Sequence, residues 1–147
     1  MRLSTALLAD AATVREGLLH VLGGGVTTMG RSSFPAPMDV ALALVMHVHP
    51  TELGSQHTLR VQVQGADGQF VASADAQWGP LSVAGDPPLH EIGQPVVLDL
   101  RNVPLPASGD YSVELLIDNI HQGSLRFTVT DMAGGELPGL APQDGLE

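Results

Sequence analysis

Apolar and polar positions alternate through residues 109 to 130 in two runs with a polar break between them. Tyr111, Val113, Leu115 and Ile117 alternate with Ser112, Glu114 and further mostly polar neighbours. Asp118 to Gly123 interrupts the pattern, and Leu125, Phe127 and Val129 resume it. A period of two broken once predicts an antiparallel hairpin with one buried face. The longest strand signal is Asp39 to His49. There Val40, Leu42, Leu44, Met46 and Val48 face one way, and Ala41, Ala43, Val45, His47 and His49 the other. Pro50 ends this strand, because proline has no N–H to give to a ladder.

Leu59, Val61 and Val63 point inward against Arg60, Gln62 and Gln64, and Asp67-Gly68 supplies a hairpin turn signal. Phe70, Ala72, Ala74, Ala76 and Trp78 then return along one face, with the small residues leaving room for an opposing sheet. Nearer the N-terminus, Leu3 to Ala9 predicts a first buried strand rather than a signal peptide, since Asp10 interrupts the apolar run. Asp10 to Ala12 predicts a turn, Leu18 to Leu22 a second strand, and Val26 to Ser33 an irregular or edge strand. Residues 11 to 19 also have helix-favouring composition, but Gly17 and the β-rich surroundings favour strand or turn. A proline-rich connection from Gly79 to Pro95 predicts a crossover between sheets, and Pro95 to Val103 a further strand.

A Gly-x-Tyr leading into the strand at Tyr111, after a corner at Pro104 and Pro106, resembles the tyrosine corner of immunoglobulin-like sandwiches. The expected fold is therefore all-β: an immunoglobulin-like or jelly-roll Greek-key β-sandwich of about eight or nine strands. Residues 1–130 form the single domain, and residues 131–147, with four Gly, two Pro and four acids but no periodicity, read as a flexible acidic tail.

Composition narrows the function classes. Aromatic residues are only 3% of the chain, so the core is built mainly from Leu, Val and Ala, with Phe34, Phe70, Trp78, Tyr111 and Phe127 as its few large pieces. The formal charge of -10 disfavours nucleic acid and anionic membrane as partners. All six basic residues are arginine, which excludes lysine Schiff-base chemistry and a phosphate-loop lysine. The absence of cysteine excludes disulfides, thiolate nucleophiles and cysteine-bound zinc, and fits a cytoplasmic protein.

Leu7-Leu-Ala-Asp-Ala-Ala-Thr-Val and Gly17-Leu-Leu-His-Val-Leu-Gly-Gly-Gly25, with the closing Gly109-Asp-Tyr111 and Phe127-Thr-Val129, carry a likeness. Together they make a chain that resembles a small bacterial family of uncharacterised proteins. The resemblance implies a single β-sandwich domain and brings no activity, cofactor or catalytic residue with it.

Candidate chemistry is sparse. His47 and His49 are two apart on a strand, so they share a face about 6.6 to 6.8 Å apart, a spacing that suits two ligands of one metal ion. His57 falls on inward parity and does not join them in a simple hairpin. Gly23-Gly-Gly25 reads as a turn or bulge rather than an anion loop, since neither a helix nor a lysine follows. Asp67, Asp86, Asp110 and Asp118 lie in predicted turns without an Asp-x-Asp-x-Asp run. No Gly-x-Ser-x-Gly elbow occurs.

These readings favour a non-catalytic protein without cofactor, acting through association with a protein partner or with its own copies. Ala41, Ala43 and Val45, apolar where a solvated sheet face should be polar, are the candidate interaction face. The alternative is a small-molecule or metal-binding sandwich using His47, His49 and adjacent loops.

Overall fold

The first strand runs unbroken from Arg2 to Arg15, well past the turn expected at Asp10–Ala12. The computed structural model describes residues 1–82 and 84–133. Strand β1 (Arg2–Arg15) turns at Glu16-Gly17 into β2 (Leu18–Gly24), and both turn residues have positive φ, 53° and 72°. That is the two-residue turn whose twist matches its flanking strands, and glycine at the second position removes its Cβ cost. Asp10 is tolerated mid-strand because β5 pairs with β1 only as far as Ala9, leaving Asp10 exposed.

There follow β3 (Thr28–Arg31), β4 (Ala36–Pro37), β5 (Ala41–Val48), a 3₁₀ turn at Pro50–Glu52, β6 (His57–Gly65) and β7 (Phe70–Trp78). The chain ends in β8 (Ile92–Asp99), β9 (Pro104–Leu105), β10 (Gly109–Ile117) and β11 (Ile120–Asp131). One sheet has the order β2-β1-β5-β8 and the other β3-β11-β10-β6-β7, with β4 and β9 as a two-residue pair. The fold is an all-β sandwich. β3 runs parallel to β11, and the β7–β8 connection crosses between sheets as its prolines implied. β6, β10 and β11 in one sheet facing β5 and β8 in the other, with a tyrosine corner on β10, is the immunoglobulin-like arrangement. The β1–β2 hairpin is added at the edge.

The core lies between the sheets, and its fully buried large side chains include Leu8, Leu42, Leu44, Met46, Leu59, Val61, Leu115 and Phe127. The inward set read along Asp39 to His49, namely Val40, Leu42, Leu44, Met46 and Val48, is buried throughout. Tyr111 stacks on Phe127, its register partner, with centroids 5.4 Å apart. Its hydroxyl donates to the Ala107 carbonyl at 2.6 Å and accepts from the Ala107 N–H at 3.3 Å, closing the corner.

Four expectations need correction. The β10–β11 connection is a two-residue turn, Asp118-Asn119 with φ of 50° and 65°, rather than a six-residue break; a bulge at Leu115/Leu116 disturbs the alternation that follows. Pro95 lies inside β8, not at its start, which an edge strand permits. Phe70 is 65% exposed, because a register shift at Val63/Gln64 sets it opposite Gln64, at the end of the edge strand β7. The alanines of β7 are not roofed by bulky partners either: Ala74 is exposed. Of the tail expected over 131–147, Asp131 closes β11, and residues 134–147 lie outside the described residues.

Candidate interaction surface

The two outward faces of the sandwich have opposite character. Across the five-stranded sheet, β6 presents Arg60, Gln62 and Gln64, and its register partners include Asp75 and Ser73 on β7 and Glu114 and Ser112 on β10. Arg60 holds Asp75 in a two-pronged ion pair, Nε to Oδ1 at 2.8 Å and Nη2 to Oδ2 at 3.0 Å, and this guanidinium lowers the carboxyl's pKa. The face is polar over its centre, with Leu116 opposite Arg60 and the exposed Phe70 opposite Gln64, at the end of the edge strand, as its apolar exceptions.

The outer face of the four-stranded sheet is apolar over its centre. Leu3, Ala6 and Leu8 on β1 pack on the core, a bulge between Leu3 and Thr5 keeping them in phase, so Leu7 and Ala9 face out. On β5 the outward residues Ala41, Ala43 and Val45 pair with Ala9, Leu7 and Thr5 on one side and with Asp99, Val97 and Pro95 on the other. The expectation that Ala41 and Ala43 form the contact surface needs correction. They are 5% and 0% exposed: Ala43 lies between the larger Leu7 and Val97, which cover its methyl group, and Ala41 lies between Ala9 and Asp99. They form a recessed floor, and Leu7, Val45 and Val97, each half-buried, are the side chains that meet solvent.

One end of this face closes in a polar cluster. The Arg2 guanidinium donates to Glu91 Oε2 at 3.0 Å and lies 3.2 Å from His47 Nδ1, which is itself 3.4 Å from the same carboxylate oxygen. The hydrogen bond from Arg2, and a weaker one from His47, lower the Glu91 pKa. His49 points elsewhere in its bonding: its Nδ1 lies 2.7 Å from the Thr51 hydroxyl and accepts from the Thr51 N–H at 3.2 Å, capping the 3₁₀ turn. Both members of the His47/His49 pair thus have Nδ1 engaged, in different local networks. Among the described residues no three His, Asp or Glu side chains gather as metal ligands would.

His57 is buried, as its parity required, and its Nδ1 lies 2.6 Å from Asp118 Oδ2 in the β10–β11 turn. Asp118 also accepts the Thr58 N–H at 2.9 Å; these two hydrogen bonds, His57 first, lower its pKa. The far nitrogen of His57, Nε2, is buried without a partner, and the ring lies 6.1 Å from that of Trp78. Nearby, the Met1 ammonium pairs with Glu52, the chief cause of that carboxyl's lowered pKa. The Asp118-Asn119 turn chemistry marked Asp118 in the sequence, but nothing local connects it with a histidine 61 positions away.

A concavity of about 540 Å³ lies over β6, β10 and β11, lined by Gln64, Ser112, Glu114, Ser124, Arg126 and Thr128 among others. Glu114 collects hydrogen bonds there from Ser124, from Ser112 at 3.2 Å and from His121 Nε2 at 2.8 Å. Burial raises the Glu114 pKa, and these bonds more than offset it, leaving a net lowering. Ser124 Oγ also lies 3.3 Å from His121 Nε2. A nucleophilic triad needs the acid on one imidazole nitrogen and the hydroxyl on the other. Here one nitrogen serves both, so the arrangement is a hydrogen-bonded surface network.

The glycines at 23 to 25 form the strand-end turn expected of them: Gly23 and Gly25 have positive φ, and the N–H groups of Gly25 and Val26 bond to the Leu8 carbonyl. Asp110 accepts from Thr128 and Asp67 from the Gln69 N–H, so these acids serve their own turns and strands.

The chain belongs to a family of unknown function (DUF6941), whose model matches residues 4–130. No curated protein matches it. Among solved structures it is similar to part of a Pseudomonas fluorescens alkylpurine DNA glycosylase, AlkC, bound to DNA containing an abasic site analog. That likeness has a TM-score of 0.41 and 9% identity, and covers 84% of this chain and 30% of the other. The chain thus spans less than a third of the length of that enzyme, and at this level the likeness bears on neither substrate nor mechanism.

Proposed function

We propose that the protein acts by association, as a non-catalytic structural or adaptor subunit that docks the outer face of its four-stranded sheet on a protein partner. The observation that carries this reading is the contrast between the two outward faces. The centre of the β6–β7–β10 face carries Arg60, Asp75, Gln62 and Glu114, whereas Leu7, Val45 and Val97 over a floor of buried Ala41, Ala43 and Pro95 occupy the other. An antiparallel sheet that ends in water alternates apolar-in with polar-out; a second apolar face suits a sheet that is covered on both sides. The acidic charge of -10 favours a protein partner over nucleic acid or an anionic membrane, and a cysteine-free chain suits the cytoplasm.

The test is a pair of charge substitutions read by native size. Val45→Arg with Val97→Arg puts two long cationic side chains on the face, and their stems let the charge reach water without opening the sheet. Tagged wild-type protein in native extract should migrate in a complex larger than the isolated chain, and the double variant should leave that complex. Gln62→Arg on the opposite face should remain in it. Loss of the complex in neither variant, or equally in both, would refute the assignment.

A further inference from the structure

We propose that two copies of this chain pair through their β2 edges, antiparallel about His20, joining two four-stranded sheets into one continuous sheet. The contact uses the edge of the sheet rather than its face, so it stands apart from the reading above.

Strand edges attract other strands unless they are guarded by proline, charge, shortness or a cover. β8 has Pro95 in its middle, β7 has Asp75, and β3 is only four residues long. β11 carries Arg126 where β3 does not cover it, and the free stretch of β1 beyond Ala9 is bounded by Asp10 and Arg15. β2 is seven residues, Leu18–Gly24, with neither proline nor a formal charge. It is the unguarded edge among the described residues.

The exposure of the hairpin points the same way. Leu18 is 62% exposed and Leu22 73%, while Val14 and Val21 are 38% and 39% exposed. Four of the seven large exposed hydrophobic side chains of the described residues therefore sit on one hairpin that overhangs the sandwich.

The sequence of β2 selects an identical copy as the occupant. Leu18-Leu19-His20-Val21-Leu22 reads nearly the same in both directions. Antiparallel pairing centred on His20 sets Leu18 against Leu22 of the second copy and Leu19 against Val21 of the second copy, each contact occurring twice, as a two-fold axis requires. Charge agrees. The chain carries -10 overall, but residues 11 to 24 contain one arginine, Arg15, and one acid, Glu16, so two copies meet there with least repulsion. Five paired residues a side bury less than the roughly 1,200–2,000 Å² of a stable specific interface, so the dimer is weak, in the roughly micromolar range.

The two-fold axis also places His20 opposite His20 of the second copy. Directly opposed residues lie about 4.5–5.5 Å apart, where like charges destabilise a strand pair. The other groups facing His20 are Thr13, its partner on β1, and Arg15 one pair nearer the turn on the same face, with Glu16 in the turn itself. Protonated imidazoles thus meet each other and a guanidinium, with one carboxylate in partial compensation.

Sedimentation equilibrium from about 1 to 500 μM, at about pH 7.5 and pH 5.5, tests the pairing. Wild-type protein should pass from monomer to dimer with concentration and dimerise about tenfold more weakly at the lower pH. Leu18→Glu with Leu22→Glu, at positions exposed enough to leave the fold intact, should stay monomeric. His20→Gln should dimerise with no such pH dependence. Val45→Arg with Val97→Arg should dimerise like wild type. A wild-type chain that is monomeric throughout overturns the pairing and leaves the face reading standing. A dimer that survives the leucine substitutions but is lost with the valine ones overturns it too, and moves self-association to the face. A dimer that survives both sets of substitutions places the contact elsewhere and also refutes the edge pairing.

Discussion

The imidazole Nδ1 of His57 sits 2.6 Å from Oδ2 of Asp118, tying the first residue of β6 to the turn between β10 and β11. Asp118 has φ of 50°, a conformation asparagine tolerates as well as aspartate does, so Asp118→Asn removes the charge without straining the turn. Discounted for an acid that is about half exposed, the loss should be about 1 kcal/mol at neutral pH. The pH dependence has a definite sign. The carboxyl's pKa is lower folded than unfolded, so its stabilisation is present above the ordinary aspartate value, about 3.9, and is lost as pH falls through the folded value. Chemical denaturation from pH 7 to pH 2.5 should show the wild type and the variant converging at the acid end. A constant gap across that range would contradict stabilisation by the ionised Asp118 carboxylate.

Tyr111→Phe keeps the stack on Phe127 and deletes the two hydrogen bonds to Ala107. The expected cost is about 1 kcal/mol, seen as a fall in Tm of about 3–5 °C. An unchanged Tm would mean that water replaces the hydroxyl at the corner without loss.

Gly68 and Gly79 share a φ of 83°, yet only Gly79 is crowded: a Cβ there would lie 2.5 Å from the Ser55 carbonyl oxygen, while nothing approaches one at Gly68. Gly68→Ala should therefore cost only the left-handed backbone penalty, about 1–2 kcal/mol. Gly79→Ala should cost at least about 1 kcal/mol more, since overpacking adds to it. Equal losses in urea denaturation would show that the 53–56 loop yields freely.

For the His47/His49 alternative, zinc is the discriminating ligand. With His47 Nδ1 beside Arg2 and Glu91, and His49 Nδ1 bonded to Thr51, ion binding would have to recruit both Nε2 atoms or break these contacts. Equimolar zinc should leave the Tm of untagged protein unchanged. A rise of about 3 °C or more, abolished by His47→Ala, would establish the metal reading instead.

Much of the frame was legible in the sequence because period-two alternation survives wherever one face of a strand is buried. β6 and β10 follow it nearly residue for residue, and β5 does so from Leu44 onward. It fails where strands leave the sandwich. β1 continues through Asp10 because an overhanging arm carries no burial penalty for a charge, and β7 exposes Ala74 and Phe70 because they lie on an edge strand. The candidate surface was half visible. The smooth run Ala41, Ala43, Val45 marked the right face of the right strand, but alanines recede between larger neighbours. Leu7 and Val97, the residues that frame them, become apparent only from the register of three strands. The His57–Asp118 pair and the Glu114 network were not legible, since both depend on which strand neighbours which.

The central claim is that the apolar face of the four-stranded sheet is covered by a protein partner. It is tested most directly by photo-crosslinking in the native host, with the reactive side chain placed at Val97 or, on the opposite sheet, at Gln62. The account predicts a discrete crosslinked protein product from position 97 and none from position 62. Equal labelling from both positions, or product from position 62 alone, would contradict it.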